Sequence, residues 1–201
     1  WRPGQAPTTR VYWTLPATGS NGMSFEEAVE ESERLLLDAV RLRLDADVPV
    51  GALLSGGVDS ALVCWAIRHL GADVSAFTVG TPGHPSDEAD DAAATAREIG
   101  ISHRILALGE VDEGVLDELV AAYPEPFAVG SALGMLRVSR AVREEATVLL
   151  TGDGGDDVFL GYSRHQMLLR MQRMAERLPA AATPLWRAVR DAEFLAEPRE
   201  R

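Results

Sequence analysis

Six consecutive residues, Ser55-Gly56-Gly57-Val58-Asp59-Ser60, set two glycines and two hydroxyls beside a carboxylate. An apolar run, Val48 to Leu54, leads into them and an apolar helical pattern follows, so the most flexible backbone stands between two stiff pieces. A strand turning straight into a helix presents backbone N–H groups at the helix N-terminus, where the partial positive charge favours an anion. Gly56 and Gly57 permit the tight turn and keep side chains away from a phosphate, and the Ser55 and Ser60 hydroxyls add donors. A glycine-rich turn that binds nothing is the competing reading of these residues alone. Asp59 shifts the balance, because a carboxylate beside a phosphate cradle repels the ligand unless a cation lies between them, which implies a magnesium-bound polyphosphate. The Walker-type loop is excluded as the source: it needs a lysine, and all 19 basic residues here are arginine.

A second stretch, Thr151-Gly152-Asp153-Gly154-Gly155-Asp156-Asp157, repeats the design with three glycines and three carboxylates. A solvated acidic turn is one reading. A calcium loop is a poor one, since the glycine and distant glutamate of a helix-loop-helix site are missing and Val158 and Tyr162 follow instead. If both stretches lie at one end of one sheet, Asp59 and Asp156 can share a metal over a triphosphate.

The elements that must position these loops follow from the periodicity. Ser24 and Glu27 form a capping box opening a helix with Phe25, Val29, Leu36, Val40 and Leu44 at helical spacing, ending near Asp45. Val48 to Leu54 predicts a strand buried on both faces, and a helix from about Asp59 to Leu70 follows, closed by Gly71. Val74 to Val79 predicts the second strand, and Gly80 to Pro85 a loop. Ser86 caps a helix running to Ile99, with Gly100 at its end. His103 to Ala107 is the third strand. Helices from Glu113 to Ala122 and Ser131 to Glu144 flank a proline corner, Tyr123 to Phe127. Thr147 to Thr151 is the fourth strand, with helical sequence after Asp157 as far as Leu178. Strands alternating with helices predict a parallel sheet with helices on both faces and a ligand at the carboxyl ends of the strands.

The 201 residues are 46% hydrophobic, enough for one substantial core. A formal charge of −12 makes nucleic acid and anionic membranes poor partners. No membrane span or secretory signal is visible, which suggests a cytoplasmic setting. Cys64, in an apolar stretch, reads as a buried structural thiol. His69 and His103 read as packing or surface residues, and His84 and His165 are assigned no role. Asp87 and Glu88 read equally well as complements to a helix dipole and as ligand contacts. Residues 1–23, rich in Pro, Gly and Thr with an extended candidate at Val11 to Leu15, read as a linker, and the Trp1 start and Arg201 end suggest a piece of a longer protein.

Together these residues resemble the ATP pyrophosphatase superfamily, whose phosphate loop reads Ser-Gly-Gly-x-Asp-Ser. The chain is most similar to the synthetase domain of glutamine-hydrolysing asparagine synthetases, in "DADVPVGALLSGGVDSALV" (45–63), "SDEADDAAATAREIGISHRI" (86–105), "EPFAVGSALGMLRVSRAVRE" (125–144) and "TGDGGDDVFLGY" (151–162). The resemblance implies an α/β, Rossmann-like (adenine nucleotide alpha hydrolase-like) fold over residues 24–201, truncated at its C-terminus, with 1–23 the linker from a glutaminase domain of the same longer protein. It also implies a two-stage reaction: aspartate attacks ATP to give β-aspartyl-AMP and pyrophosphate, and ammonia then displaces AMP. On this carry-over Ser55, Gly56, Gly57, Asp59 and Ser60 hold pyrophosphate; Leu54, Val79, Thr151 and Gly152 line the ATP pocket; Asp59 and Asp156 bind Mg2+; and Asp153 is the acidic residue of the ammonia step. A homodimer is compatible with it. Asp157 stands where the family usually has Glu and Leu160 where it often has Gly. The family's phosphate-binding lysines are absent, and Arg164, Arg170 or a residue beyond position 201 would have to replace them. Glu125 and Phe127 resemble residues near the family's aspartate pocket. Related cyclases that close β-lactam or macrolactam rings on an acyl-adenylate, and a nucleotide-binding module without catalysis, are the competing functions.

Overall fold

The computed structural model describes residues 4, 6, 9–14, 22–80, 87–107, 114–123, 125, 129, 131–177, 184, 187 and 188. Helix α1 (Phe25–Leu44) opens on the expected capping box: Glu27 N–H donates to Ser24 Oγ at 3.2 Å, and Ser24 N–H donates to the Glu27 carboxylate at 2.7 Å. Only its C-terminal half packs inward. Val40 is buried with Leu36 and Leu44 against it, whereas Phe25 and Val29 are exposed, contrary to the five-residue apolar face the spacing predicts. Length explains the difference: α1 spans about 30 Å, while its neighbour α2 (Val58–His69) spans about 18 Å and leaves the first turns of α1 uncovered.

Strands β1 (Val50–Leu53), β2 (Ala76–Gly80), β3 (His103–Ala107) and β4 (Val148–Leu150) form a parallel sheet in the order β3-β2-β1-β4. The first and last are shorter than their apolar runs. Pro49 has no N–H to give to a ladder, and its carbonyl accepts instead from Thr147 and Val148 at 2.9 and 3.2 Å, closing that end of the β1–β4 pair. Alternation then sends side chains to two cores. Ala52, Leu54 and Ala76 face α1, α2 and α3 (Ala89–Ile99) through Val63, Ile67, Ala92 and Ala96. Leu53, Phe77 and Leu149 face the other way, onto Val138 and Val142 of α5 (Ala132–Val142). Helices therefore cover both faces, as expected for a parallel sheet. Cys64 is fully buried in the first core, and burial pushes its thiol up to about 11.

Helix α3 begins with Glu88 as its N-cap residue, and the Ser86 cap falls outside the described residues. So do Leu15, the loop from 81 to 85, the start of the helix expected at Glu113, and Phe127. Helix α4 (Val115–Ala122) joins α5 through the Arg140–Glu118 ion pair. Residues 11–14 form no strand and are exposed. After β4 come α6 (Gly155–Phe159) and α7 (Ser163–Glu176). Among the described residues no helix is long and apolar enough to cross a membrane.

Candidate active site

Chain order places β1, β2 and β3 successively to one side and β4 on the other side of β1, so connections depart in opposite directions between β1 and β4. Such a reversal opens a crevice at the carboxyl ends of the strands. The Ser55–Ser60 stretch follows β1, and the Thr151–Asp157 stretch follows β4. Both loops therefore meet there, in a cleft of about 380 Å³.

The first loop is tied by its two serines. Ser60, 7% exposed in the first turn of α2, accepts from Ser55 N–H at 3.0 Å and points its hydroxyl toward the Gly57 carbonyl at 3.0 Å. The two hydroxyl oxygens lie 2.9 Å apart, and Ser55 Oγ also accepts from Gly57 N–H at 3.1 Å. The serines thus brace the loop internally, and both also line the cleft. Gly56 N–H is also engaged, by Glu88 Oε2 at 3.0 Å, and Gly56 alone of the expected binding residues does not line the cleft. Leu54, Ser55, Gly57, Asp59, Ser60, Val79, Thr151, Gly152, Asp153 and Asp156 all do.

The glycines of the second loop serve packing between loops. A Cβ on Gly152 would stand 2.6 Å from Ser60 N and 2.9 Å from Asp59 Cβ, and one on Gly155 would meet the Asp59 carboxylate. Gly154 has φ +94° and turns the chain into α6, so Asp156 and Asp157 lie in a helical first turn rather than in the loop expected to extend through them. Asp156 enters the cleft, whereas Asp157 is exposed outside it. Thr151 Oγ1 donates to Asp153 Oδ2 at 2.9 Å and fixes that carboxylate at the rim.

Residues 31–201 match the family described as Asparagine synthase. The chain belongs to the asparagine synthase family. It is 37% identical over 164 residues to a putative asparagine synthetase [glutamine-hydrolyzing] 2 of Methanocaldococcus jannaschii, covering 80% of this chain and 31% of the relative. It is 29% identical over 156 residues to asparagine synthetase [glutamine-hydrolyzing] 1 of Bacillus subtilis, covering 77% and 24%. Among solved structures it is similar to an NH3-dependent NAD synthetase from Campylobacter jejuni, at 20% identity, a TM-score of 0.43, and coverage of 70% and 62%. The chain spans a third or less of the length of these curated relatives.

In this member of the family the cleft has four acidic residues, Asp59, Glu88, Asp153 and Asp156, and no arginine or histidine among its described lining. Arg164 lies close by, its guanidinium 4.5 Å from the centroid of Tyr162, which lines the cleft. Arg170, further along α7, is not at the cleft. Asp59 and Asp156 in one cleft fit a magnesium ion, which takes one or two protein carboxylates and completes its shell with phosphate and water. Among the described residues no cluster of three or more candidate ligands would hold a metal by itself.

Sequence reasoning missed Phe77, Thr78, Met135, Val138 and Tyr162 as cleft residues, and did not choose between roles for Glu88. Thr78 carried no visible signal. It is buried, its hydroxyl donates to the Leu54 carbonyl at 2.6 Å, and its oxygen lies 2.7 Å from His103 Nε2. With the hydroxyl proton spent, His103 must be the donor, so its Nε2 carries hydrogen. His103 therefore braces the entry to the Ser55–Ser60 loop, and burial lowers its pKa below the ordinary histidine value. Glu125 is not part of the cleft lining.

Proposed function

We propose that this chain is the synthetase domain of an ATP-dependent, amide-forming ligase that adenylates the side-chain carboxylate of aspartate and passes it to ammonia, giving asparagine. The observation that carries the reading is the meeting of the Ser55–Ser60 and Thr151–Asp157 loops in one cleft at the reversal between β1 and β4. A substrate carboxylate oxygen attacks the α-phosphorus of ATP, the bond from that phosphorus to the bridging oxygen breaks, and pyrophosphate leaves. The nitrogen of ammonia then attacks the acyl carbon, the carbon–oxygen bond to AMP breaks, and one proton leaves the nitrogen.

The residues divide this work. The first-turn N–H groups of α2 have no carbonyl four residues earlier in the helix and face the pyrophosphate. Asp59 and Asp156 would hold magnesium, which neutralises phosphate charge when bound. Thr78 and Val79 flank the nucleotide on the β2 side. Asp153 keeps Oδ1 for the proton released by ammonia while Thr151 holds Oδ2. Glutamine as the nitrogen source, through a glutaminase domain of the same longer protein, and a cytoplasmic location belong to the same proposal.

ATP–pyrophosphate exchange in magnesium, with and without aspartate, tests it on the natural full-length protein. Exchange that requires aspartate is the expected result. A cleft whose described lining has four carboxylates and no arginine or histidine favours one second reading, a nucleotide-binding module without catalysis, for which ATP would bind with no exchange under any acyl substrate.

A further inference from the structure

Three backbone N–H groups precede α2, and each has an acceptor: Ser55 bonds Ser60 Oγ, Gly57 bonds Ser55 Oγ, and Gly56 bonds Glu88 Oε2. Two of these acceptors are neutral hydroxyls belonging to the loop. The third is a carboxylate 32 residues along the chain. Glu88 is the N-cap residue of α3, yet its side chain makes no bond to its own helix. The approach is close along the backbone as well, since a Cβ on Gly56 would stand 3.4 Å from Asp91 Cβ and 3.6 Å from Glu88 Cβ. The start of α3 thus rests on the Ser55–Ser60 loop, and Glu88 lines the same cleft as Asp59.

A carboxylate oxygen and a phosphate oxygen make the same demand on an N–H donor. We infer that Glu88 is an internal competitor of pyrophosphate for the Gly56 N–H. The inference rests on reading Ser55–Ser60 as a phosphate loop, as set out under the proposed function. Glu88 opposes the ligand twice, by occupying a donor and by placing a negative charge against the phosphates.

Calorimetric titration of inorganic pyrophosphate, at fixed magnesium, into the wild-type protein, Glu88→Gln and Glu88→Ala tests it. Glutamine keeps an acceptor for Gly56 N–H and removes the charge; alanine removes both. Both variants should bind pyrophosphate about three- to tenfold more tightly than the wild type, and pyrophosphate should inhibit ATP consumption more strongly in each. A purely structural role predicts wild-type affinity in Glu88→Gln and weaker binding in Glu88→Ala, and that result overturns the inference. Weaker binding in both would make Glu88 a contributor to the ligand site and overturns it too. Wild-type binding with no gain in either variant removes this inference alone, whereas no binding by any of the three removes the phosphate-loop reading with it.

Discussion

The Asp59 carboxylate occupies the space a Cβ on Gly155 would need, with Oδ2 only 2.8 Å from where that Cβ would stand. The two loops that form the cleft are therefore in contact through a side chain that only glycine admits at position 155. Gly155→Ala must displace Asp59 or the start of α6, at a cost of about 1 to 3 kcal/mol for forced repacking, and should depress ATP use at least tenfold. Gly134→Ala provides the contrast. That glycine lies within α5 with nothing within 4 Å of the added methyl, so alanine should stabilise by about 0.5 to 1 kcal/mol and leave ATP use unchanged. Denaturant unfolding and ATP–pyrophosphate exchange on the two variants check both halves.

Asp59→Asn and Asp156→Asn should each raise the magnesium concentration needed for half-maximal exchange, by about tenfold or more, because each would remove one of the two anionic donors proposed for magnesium. Magnesium titrations of the exchange rate check this. Wild-type midpoints in both variants would sink the shared-metal assignment.

Leu160 closes α6 at φ +58°, with its N–H bonded to the Asp156 carbonyl. It is the only described non-glycine residue in this region of backbone space. A side chain costs about 1 to 2 kcal/mol there, so Leu160→Gly should recover about 1 kcal/mol, less what glycine gains in unfolded-chain freedom. Thermal or urea unfolding reads the difference. An unchanged or lowered stability would mean that the leucine side chain offsets its own strain.

His103 carries a pH dependence with a definite sign. Its folded pKa is lowered by burial, so the unfolded chain binds the proton more readily. Its contribution to stability is complete above the ordinary histidine pKa and falls as pH drops through that value toward the depressed one. Unfolding free energies at stepped pH from 7.5 down to about 5 should decline less steeply in His103→Gln, which keeps a donor for Thr78 and does not titrate. Equal slopes would remove His103 from the acid sensitivity.

The sequence was most legible where local chemistry and periodicity agreed. Ser24 and Glu27 marked the start of α1, His103 to Ala107 gave a strand without adjustment, and alternation of strand and helix led to the parallel sheet. Phe25 and Val29 misled because helical spacing reports a stripe but not how far the neighbouring helix extends. The bonds that tie the two serines of the first loop to each other and to its backbone were not legible, because residue type shows hydroxyls but not their partners. Asp156 and Asp157 fell in a helix because the φ of Gly154, invisible in composition, starts a helical turn early. Thr78 and Glu88 depend on pairings across strands and helices, which no local pattern encodes.

The sheet order has a kinetic consequence. The Ser55–Ser60 loop needs β1 and the acidic loop needs β4, and α2, β2, α3, β3, α4 and α5 all lie between these two paired strands in sequence. Closing so long a stretch of chain costs entropy before any contact repays it. The Asp59–Gly155 contact should accordingly form late, and a chain that has assembled β1 to β3 but not docked β4 has half a cleft. Nucleotide affinity during refolding would then serve as a clock for the last strand, rising with β4 docking rather than with the appearance of helix.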